Sequence, residues 1–361
     1  MANEHPPETP AAEPEIEPDV QDRDSDDGDS ALDVPLRESL ASIRSSILAY
    51  QQENGRTYHA MSAGKYFLPN DDQEIERLDL QHSLMTLTIQ GRLCLCPKND
   101  GAHTVLDLGT GTGIWAMDYA DTHPEAEVIG VDLSPVQPAF VPPNCSFEID
   151  DIEKDWTWSK KFDFIFSRMM TGSFADYRSI VEKAFNQLEP GGYFEAQDMV
   201  LPLVCDDGTL SEDAPICRWQ KVVMEGMNNM GRPLLMSADQ TWKKHMEDVG
   251  FEDVSHNVFR WPMNHWPRDQ HYKELGLWSL DNMHSALEGA SLAPLTRGLG
   301  WTKEEVLVFV AQVRKDLRNT KIHAYWHINI VYGRKPLNPK APSPAPGPTS
   351  AAPGPSTAAA P

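Results

Sequence analysis

The sequence predicts an α/β fold in which helices cover both faces of a mostly parallel β-sheet. Three observations predict it. Short apolar runs alternate with amphipathic stretches between residues 104 and 199, a glycine-rich loop follows the first run, and an acidic residue ends the second. Alternation of strand and helix at this spacing is typical of βαβ units, in which helical crossovers join parallel strands.

The predicted elements of this region follow one another closely along the chain. Each predicted strand is a short run of apolar residues, as expected of strands that are buried on both faces. Strands are predicted at 104–108, 127–133, 145–150, 162–168 and 191–199, and helices at 113–123 and 177–188.

Further elements lie on either side of this alternation. Apolar residues at helical spacing predict helices at 36–52 and 71–95, which a polar and aromatic linker joins. Beyond residue 200 the pattern loosens, but Thr302 and Glu305 form a capping box at the start of a strong helix. Residues 263–300 are rich in Trp, His and Gly and show no clear period. Helices are predicted at 212–231, 241–251 and 302–319, and strands at 252–262 and 322–336.

Composition and charge narrow the class of protein. The formal net charge is −23, so the average surface repels phosphate, and we expect no direct nucleic-acid partner. Residues 1–34 are acidic and Pro-rich with Arg23 as their single basic residue, and residues 337–361 are rich in Pro and Ala. Such segments bury too little apolar surface to offset chain entropy, so both are predicted to be disordered tails.

The five cysteines do not have the regular spacing of a disulfide framework. Cys94 and Cys96 form a CxC pair rather than a paired zinc motif, so no metal site is predicted. No run reaches the about 18 apolar residues of a membrane span, and the N-terminus has no secretory pattern. We expect an intracellular protein without a membrane partner, in the cytoplasm or the nucleus.

The segment VLDLGTGTGIW, residues 105–115, carries the strongest functional signal. A strand containing Asp107 leads into Gly109, Gly111 and Gly113, and a helix starts there. Glycines let a ligand approach the backbone, and a helix N-terminus is partly positive. In open parallel sheets, ligands bind beyond the carboxyl ends of the strands. A ligand site is therefore predicted at this loop.

Two details separate this loop from that of dinucleotide enzymes. Its spacing is GxGxG rather than GxGxxG, and Asp107 precedes the first glycine. The next strand also ends in an acid, Asp132, placed 19 residues after Gly113. A carboxylate there accepts hydrogen bonds from both ribose hydroxyls. The alternative is that Asp132 caps the turn at Ser134, and the sequence leaves this open.

The motifs DLGTGTG, VIGVDLSP, FEIDDIE, FDFIFSR and LEPGGYFE, in this order, resemble those of class I S-adenosylmethionine-dependent methyltransferases. ENGRTYHA, DDIEKDW and VYGRKP resemble the fungal LaeA-type methyltransferases over residues 36–336. The resemblance implies a Rossmann-like, seven-stranded, mostly parallel sheet whose last strand is antiparallel, with helical additions at the N-terminus and at 200–300. The implied domains are a helical cap at 35–100 and a methyltransferase domain at 101–336, with insertions at about 200–240 and 263–300.

The resemblance implies S-adenosyl-L-methionine as cofactor and a role for each matching residue. The glycines and Thr110 line its methionine part, Asp107 steadies the loop or the amino group, and Asp132 with Leu133 takes the ribose. Asp151, rather than the adjacent Asp150, contacts the adenine amino group, and Ile152 packs on the ring. The methyl group faces Arg168 and Met169. A lid over the cofactor would contain Tyr58 and His59. The candidates for catalysis are His59, Arg168 and Met169.

Two functions are compatible with these motifs. The first is methylation of a small-molecule acceptor in fungal secondary metabolism, with the aromatic residues between 261 and 278 lining the acceptor pocket or simply covering the sheet. The second is a LaeA-like nuclear regulator that acts with velvet-family partners or on protein substrates. A general base is needed only if the accepting atom must lose a proton, and no residue is committed to that role.

Overall fold

The computed structural model describes residues 48–235 and 241–338. Nine strands lie within these ranges. They are β1 (Gln51–Glu53), β2 (Arg56–Tyr58), β3 (Thr104–Leu108), β4 (Glu127–Asp132), β5 (Cys145–Ile149), β6 (Phe162–Arg168), β7 (Leu188–Cys205), β8 (Glu252–Pro262) and β9 (Ala324–Arg334). The α-helices are α1 (Asp72–Thr88), α2 (Ile114–Thr122), α3 (Tyr177–Gln187), α4 (Pro215–Asn229), α5 (Thr241–Val249), α6 (Gln270–Ala293) and α7 (Lys303–Leu317).

Seven of these strands form one sheet in the order β5-β4-β3-β6-β7-β9-β8. β3 pairs in parallel with β4 and with β6, β4 with β5, and β6 with β7. β9 runs antiparallel to both β7 and β8. The predicted seven-stranded, mostly parallel sheet with an antiparallel last strand is confirmed.

Helices cover both faces of the sheet. On one face, α2 buries the Trp115 ring against Phe166 of β6, with ring centroids 3.7 Å apart and planes nearly parallel at 4°. On the other face, α3 packs Ile180 and Val181 against Leu106 of β3. Because both faces are covered, the central strands are continuous apolar runs rather than alternating ones. This explains why their positions could be predicted closely.

The polar linker before α1 contains an unpredicted hairpin. β1 and β2 pair antiparallel, and both turn residues have positive φ, 55° at Asn54 and 83° at Gly55. Asn-Gly favours such a turn because both residues tolerate this region of backbone space. The predicted helix 36–52 is wrong at its end, since Gln51 and Gln52 lie in β1. Residues 36–47 of that predicted helix, and both predicted tails apart from residues 337 and 338, lie outside the described residues.

The region 263–300, for which no period was found, is mostly one long helix. α6 runs for 24 residues and continues into a π-helical turn at Pro294–Gly298. It packs against α1, α7 and β8. Its buried residues follow one stripe from Leu275 to Leu287, but this stripe includes the polar Ser279 and Asn282, whereas the apolar Leu277 and Trp278 are exposed, so the sequence shows no clear apolar period. The interpretation of this stretch as irregular is therefore wrong.

The remaining elements agree with their predicted types. The capping box at α7 is present, with Thr302 accepting from the Glu305 amide and Glu305 accepting from the Thr302 amide. β7 is longer than predicted at both ends, because Leu188 already pairs with Phe162 of β6 and the strand continues past its parallel part to pair with β9 up to Cys205. The division of the chain near residue 100 into two domains stays a prediction. No helix in the described ranges combines the length and apolar character needed to cross a bilayer.

Candidate functional site

A cavity of about 220 Å³ opens beyond the carboxyl ends of β3, β4 and β6. This is where a parallel sheet is expected to bind a ligand. The cavity is bounded by several sequence-distant parts of the chain, which are the glycine loop, the segment 59–82, the residues at the ends of β4, β5 and β6, and helices α4 and α6. The predicted site residues that line it are His59, Asp107, Gly109, Thr110, Gly111, Asp132, Leu133, Asp151, Ile152, Arg168 and Met169.

The glycine loop is fastened to the sheet at its first turn. The amides of Gly109 and Thr110 both donate to the Val131 carbonyl, at 2.9 and 3.0 Å. The Thr110 hydroxyl donates to Asp107 Oδ2 at 2.6 Å, so the carboxylate in the strand steadies the loop, as predicted for Asp107. Burial raises the pKa of Asp107 to about 6. Its second oxygen, Oδ1, has no hydrogen bond from the described part of the chain.

Asp132 lies at the end of β4 and holds two backbone amides. Its Oδ2 accepts from Gly111 at 2.9 Å and its Oδ1 accepts from Ser134 at 3.0 Å. Both sequence-based alternatives are thus compatible, because the same carboxylate caps the Ser134 turn and faces the cavity. A carboxylate has about four lone-pair positions, so two remain for a ligand. Burial raises the pKa of Asp132.

Asp151 lines the cavity beyond β5 and is held by the segment that crosses above it. Its Oδ2 accepts from the Ser62 hydroxyl at 2.7 Å and from Lys65 Nζ at 2.6 Å, and its Oδ1 accepts from the Glu153 amide at 3.1 Å. The hydrogen bonds from Lys65 and Ser62 outweigh burial and lower the pKa of Asp151. One lone pair stays open toward the cavity. Asp150 also lines the cavity.

Arg168, at the end of β6, is part of a three-residue chain of side chains. Its Nη2 donates to His82 Nδ1 at 2.8 Å, and His82 Nε2 lies 2.9 Å from Asp118 Oδ2. Burial lowers the pKa of Arg168 to about 10. The next residue, Met169, has a φ of 54°, a conformation that costs energy for a side chain of this size and that concentrates at functional sites. Both residues line the cavity.

Comparison with known proteins gives one matching domain family and several similar fungal proteins. Residues 73–256 match the methyltransferase domain family. The chain is 37% identical to the methyltransferase pytC of Aspergillus terreus over 299 residues, 82% of this chain and 92% of that protein. It is 36% identical to the secondary metabolism regulator laeA of Aspergillus fumigatus over 289 residues, 79% of this chain and 77% of that protein. The protein-methionine methyltransferase laeA of Emericella nidulans is 34% identical over 305 residues, 84% of this chain and 81% of that protein.

The chain belongs to the class I methyltransferases. Within them it is of the fungal LaeA type, and its cofactor is S-adenosyl-L-methionine. Among solved structures, it is similar to the phosphoethanolamine N-methyltransferase 2 of Haemonchus contortus, with 15% identity and a TM-score of 0.46 over 85% of this chain and 76% of that one.

The cavity of this methyltransferase fits the cofactor by its charges. The carboxylate oxygen of Asp107 that is free within the described residues and the guanidinium of Arg168 lie near the glycine loop. They offer one negative and one positive charge to the ammonium and the carboxylate of the cofactor's methionine part. Asp132 keeps two lone pairs for a ribose diol, and Asp151 keeps one for an amino group. Gly111 leaves the approach open, because an added Cβ would meet no atom nearer than 3.5 Å. Which residue takes which group stays a prediction.

Two residues predicted to contact the cofactor do not line the cavity of the methyltransferase. Tyr58 does not line the cavity, because neighbouring side chains on an extended segment point to opposite sides and His59 takes the cavity side. The Tyr58 ring instead packs under the guanidinium of Arg297 at 4.8 Å. Gly113 also lies outside the cavity wall. It caps α2 with a φ of 80°, and a Cβ there would overlap the Phe147 ring.

His59 lines the cavity of the methyltransferase and is buried. Its Nε2 lies 3.3 Å from the Ser62 carbonyl, which can only accept, so Nε2 carries the proton. Burial lowers the pKa of His59, which keeps the ring neutral near pH 7. Its role in catalysis stays a prediction.

The aromatic residues between 261 and 278 do not line the methyltransferase cavity. Trp261 is fully buried and donates from Nε1 to Thr88 Oγ1 at 2.7 Å, and Trp266 donates to the Ala324 carbonyl at 3.1 Å. Of the two alternatives for this region, the structure therefore favours a cover for the sheet. The side chains of α6 that do reach the cavity come later, from Asn282 to Ala290.

The sequence did not identify most of the cavity wall. An apolar chamber adjoins the glycine loop, and its walls come from four segments, which are the segment before α1, helix α4, the loop after α4, and helix α6. Because these elements are distant in sequence, no motif spacing links them. The residues of this apolar chamber are Phe67, Leu68, Trp219, Val223, Leu234, Met283, Ala286 and Ala290.

His82 is expected to make the free energy of unfolding depend on pH. Burial and the charge of Arg168 lower its pKa from 6.5 to about 3 in the fold. Below pH 6.5 the unfolded chain therefore binds more protons than the native state, and stability falls as the pH falls. Between pH 7.5 and pH 5, the free energy of unfolding in urea should fall by about 2 kcal/mol less for His82→Gln than for the wild type. An identical pH dependence in both proteins would contradict the neutral state of His82.

Proposed function

We propose that this methyltransferase transfers a methyl group to a small-molecule acceptor in fungal secondary metabolism. The single observation that carries the proposal is the apolar chamber, which adjoins the glycine loop and is closed by side chains of four segments. Small-molecule sites are typically concave, apolar pockets with a few polar groups that fix orientation. The relatives named above include a methyltransferase, pytC, whose length is almost fully matched.

The chemistry asked of the protein is mainly positioning. The cofactor supplies an activated methyl group on a sulfonium, and the chain must hold the acceptor atom in line with it and keep water away. Phe67 and Met283 line the apolar chamber, and Arg77, which lines the same cavity, is neutralised by Glu74 at 2.7 Å. Arg77 also donates to Asn282 at 2.7 Å, so its charge is not available to a ligand. These features favour a neutral acceptor.

A labelling experiment tests the proposal. The purified protein is incubated with methyl-labelled cofactor and an extract of the fungus that lacks the gene. Label in a low-mass compound supports the proposal, and label confined to protein contradicts it. Ala286→Phe fills the apolar chamber, so it should keep the affinity for S-adenosylhomocysteine and lose transfer to the metabolite. Ser285→Phe on the same helix lies outside the cavity wall and should retain both.

A second candidate is a regulator of the LaeA kind, acting with velvet-family partners or on protein substrates. It is favoured by the 36% identity to the secondary metabolism regulator laeA of Aspergillus fumigatus. The same labelling experiment distinguishes the two, because a regulator of this kind would place label on protein. Deletion of the gene should then change the expression of a whole gene cluster rather than remove one methylated product.

A further inference from the structure

We propose that Arg168, positioned by His82 and Asp118, binds the α-carboxylate of the methionine part of the cofactor. The inference rests on the cofactor assignment and deepens it by naming the residue that recognises one charged group. It also replaces the predicted role of Arg168, which was to face the transferring methyl.

Arg168 has unused hydrogen-bonding capacity at the cavity wall. A guanidinium has five N–H donors, and within residues 48–235 and 241–338 the only side chain that accepts from Arg168 is His82. No carboxylate of the described chain lies within 4 Å of it. Asp107 and Asp118 act on Arg168 only at longer range, and a largely buried cation that no described carboxylate contacts directly favours a ligand that brings a negative charge.

The hydrogen bonds around His82 fix the direction of this guanidinium. Arginine only donates, so His82 Nδ1 carries the lone pair that accepts from Arg168 Nη2 at 2.8 Å. The proton of the neutral ring therefore lies on Nε2, which donates to Asp118 Oδ2 at 2.9 Å. The low pKa of His82 agrees with a neutral ring. His82 and Asp118 are thus positioning residues, and Arg168 is the residue that touches the ligand.

The position of Arg168 selects the cofactor's carboxylate. Arg168 ends β6, and Asp107 lies in the adjacent strand β3, where it pairs in register with Phe166. The two opposite charges thus lie side by side at the glycine loop. An amino-acid group needs an anion for its ammonium and a cation for its carboxylate, and Asp107 and Arg168 supply one each. A cation directed at the sulfonium methyl would instead be repelled by it.

The test compares two ligands that differ only in the carboxylate. Binding of S-adenosylhomocysteine and of its decarboxylated analogue is measured by calorimetry. The wild type should bind the carboxylated ligand about 10- to 100-fold more tightly, as expected for a charged hydrogen-bonded pair. Arg168→Met should lose this preference while keeping most of its affinity for the decarboxylated analogue. His82→Gln and Asp118→Asn should reduce the preference in part.

Control variants keep the result interpretable. Arg178→Met removes an exposed arginine on α3 and should leave both affinities unchanged. If Arg168→Met does not fold, Arg168→Lys keeps the charge without the fork and should show an intermediate preference. An undiminished preference in Arg168→Met overturns the proposal, and so does an equal loss of both ligands. If the wild type binds neither ligand, the cofactor assignment itself fails.

Discussion

Asp132→Ala is expected to weaken binding of S-adenosylhomocysteine by about 100-fold. This is the largest loss of ligand affinity that we predict. The change removes a charged acceptor for the ribose, worth about 1.5–3 kcal/mol. It also leaves the amides of Gly111 and Ser134 without their carboxylate, so the loop that shapes the cavity loses a support. Calorimetry with S-adenosylhomocysteine measures the change directly, independently of any acceptor.

Two variants separate the ribose contact from a general loss of structure. Asp132→Asn keeps the shape and one acceptor oxygen, so we expect it to lie between the wild type and Asp132→Ala. Asp248→Ala removes an exposed carboxylate that pairs with Lys244 on α5 and should bind like the wild type. Wild-type affinity in Asp132→Ala, with an unchanged melting temperature, would falsify the ribose assignment.

Gly226→Ala is expected to lower stability by about 3 kcal/mol, the largest effect on folding. In α4, Gly226 lies against the π-helical turn that follows α6, and an added Cβ would overlap the Pro294 carbonyl, lying 2.8 Å from its carbon. The obstructing atoms are backbone, so they cannot move aside as a flexible side chain would, and overpacking costs about 1–3 kcal/mol. For a chain of this size each kcal/mol lowers the melting temperature by about 2–4 °C.

Glu225→Ala provides the matched control for this substitution. It introduces the same residue at the neighbouring, exposed position of α4, and it should leave the melting temperature within about 1 °C. A melting temperature for Gly226→Ala equal to that of Glu225→Ala would show that α4 and the turn after α6 can separate without cost.

The parts of the fold that were predictable are those with a local cause. The strands 162–168 and 252–262 were predicted to the residue, the first because it is a buried run bounded by polar residues. The hairpin at 51–58 has a local signal as well, the Asn54-Gly55 pair, but its strands are only three residues long and are easily taken for a loop. By contrast, α6 buries the polar Ser279 and Asn282 on its packed face and exposes Leu277 and Trp278, so its sequence has no simple apolar period.

The site also has one part that the sequence predicted and one that it did not. Asp107, Asp132 and Asp151 were placed at the cavity because each lies at or close to the carboxyl end of a strand, at the edge where parallel strands meet. The residues of the apolar chamber could not be found, since they meet only after four separate segments fold together. Tyr58 was predicted to contact the cofactor but does not line the cavity, because a motif gives the neighbourhood of a residue and not the side to which it points.

The hydrogen bonds from Ser62 and Lys65 to Asp151 have a consequence for release of the by-product after methyl transfer. The segment from His59 to Asn70 forms one wall of the cavity, and these two bonds fasten it to the opposite wall. Any movement of this segment that lets a spent nucleoside leave past it requires both bonds to break. Removing one of these two hydrogen bonds should therefore shorten the residence time of the by-product. Opening of this segment, rather than methyl transfer, would then set the rate of turnover.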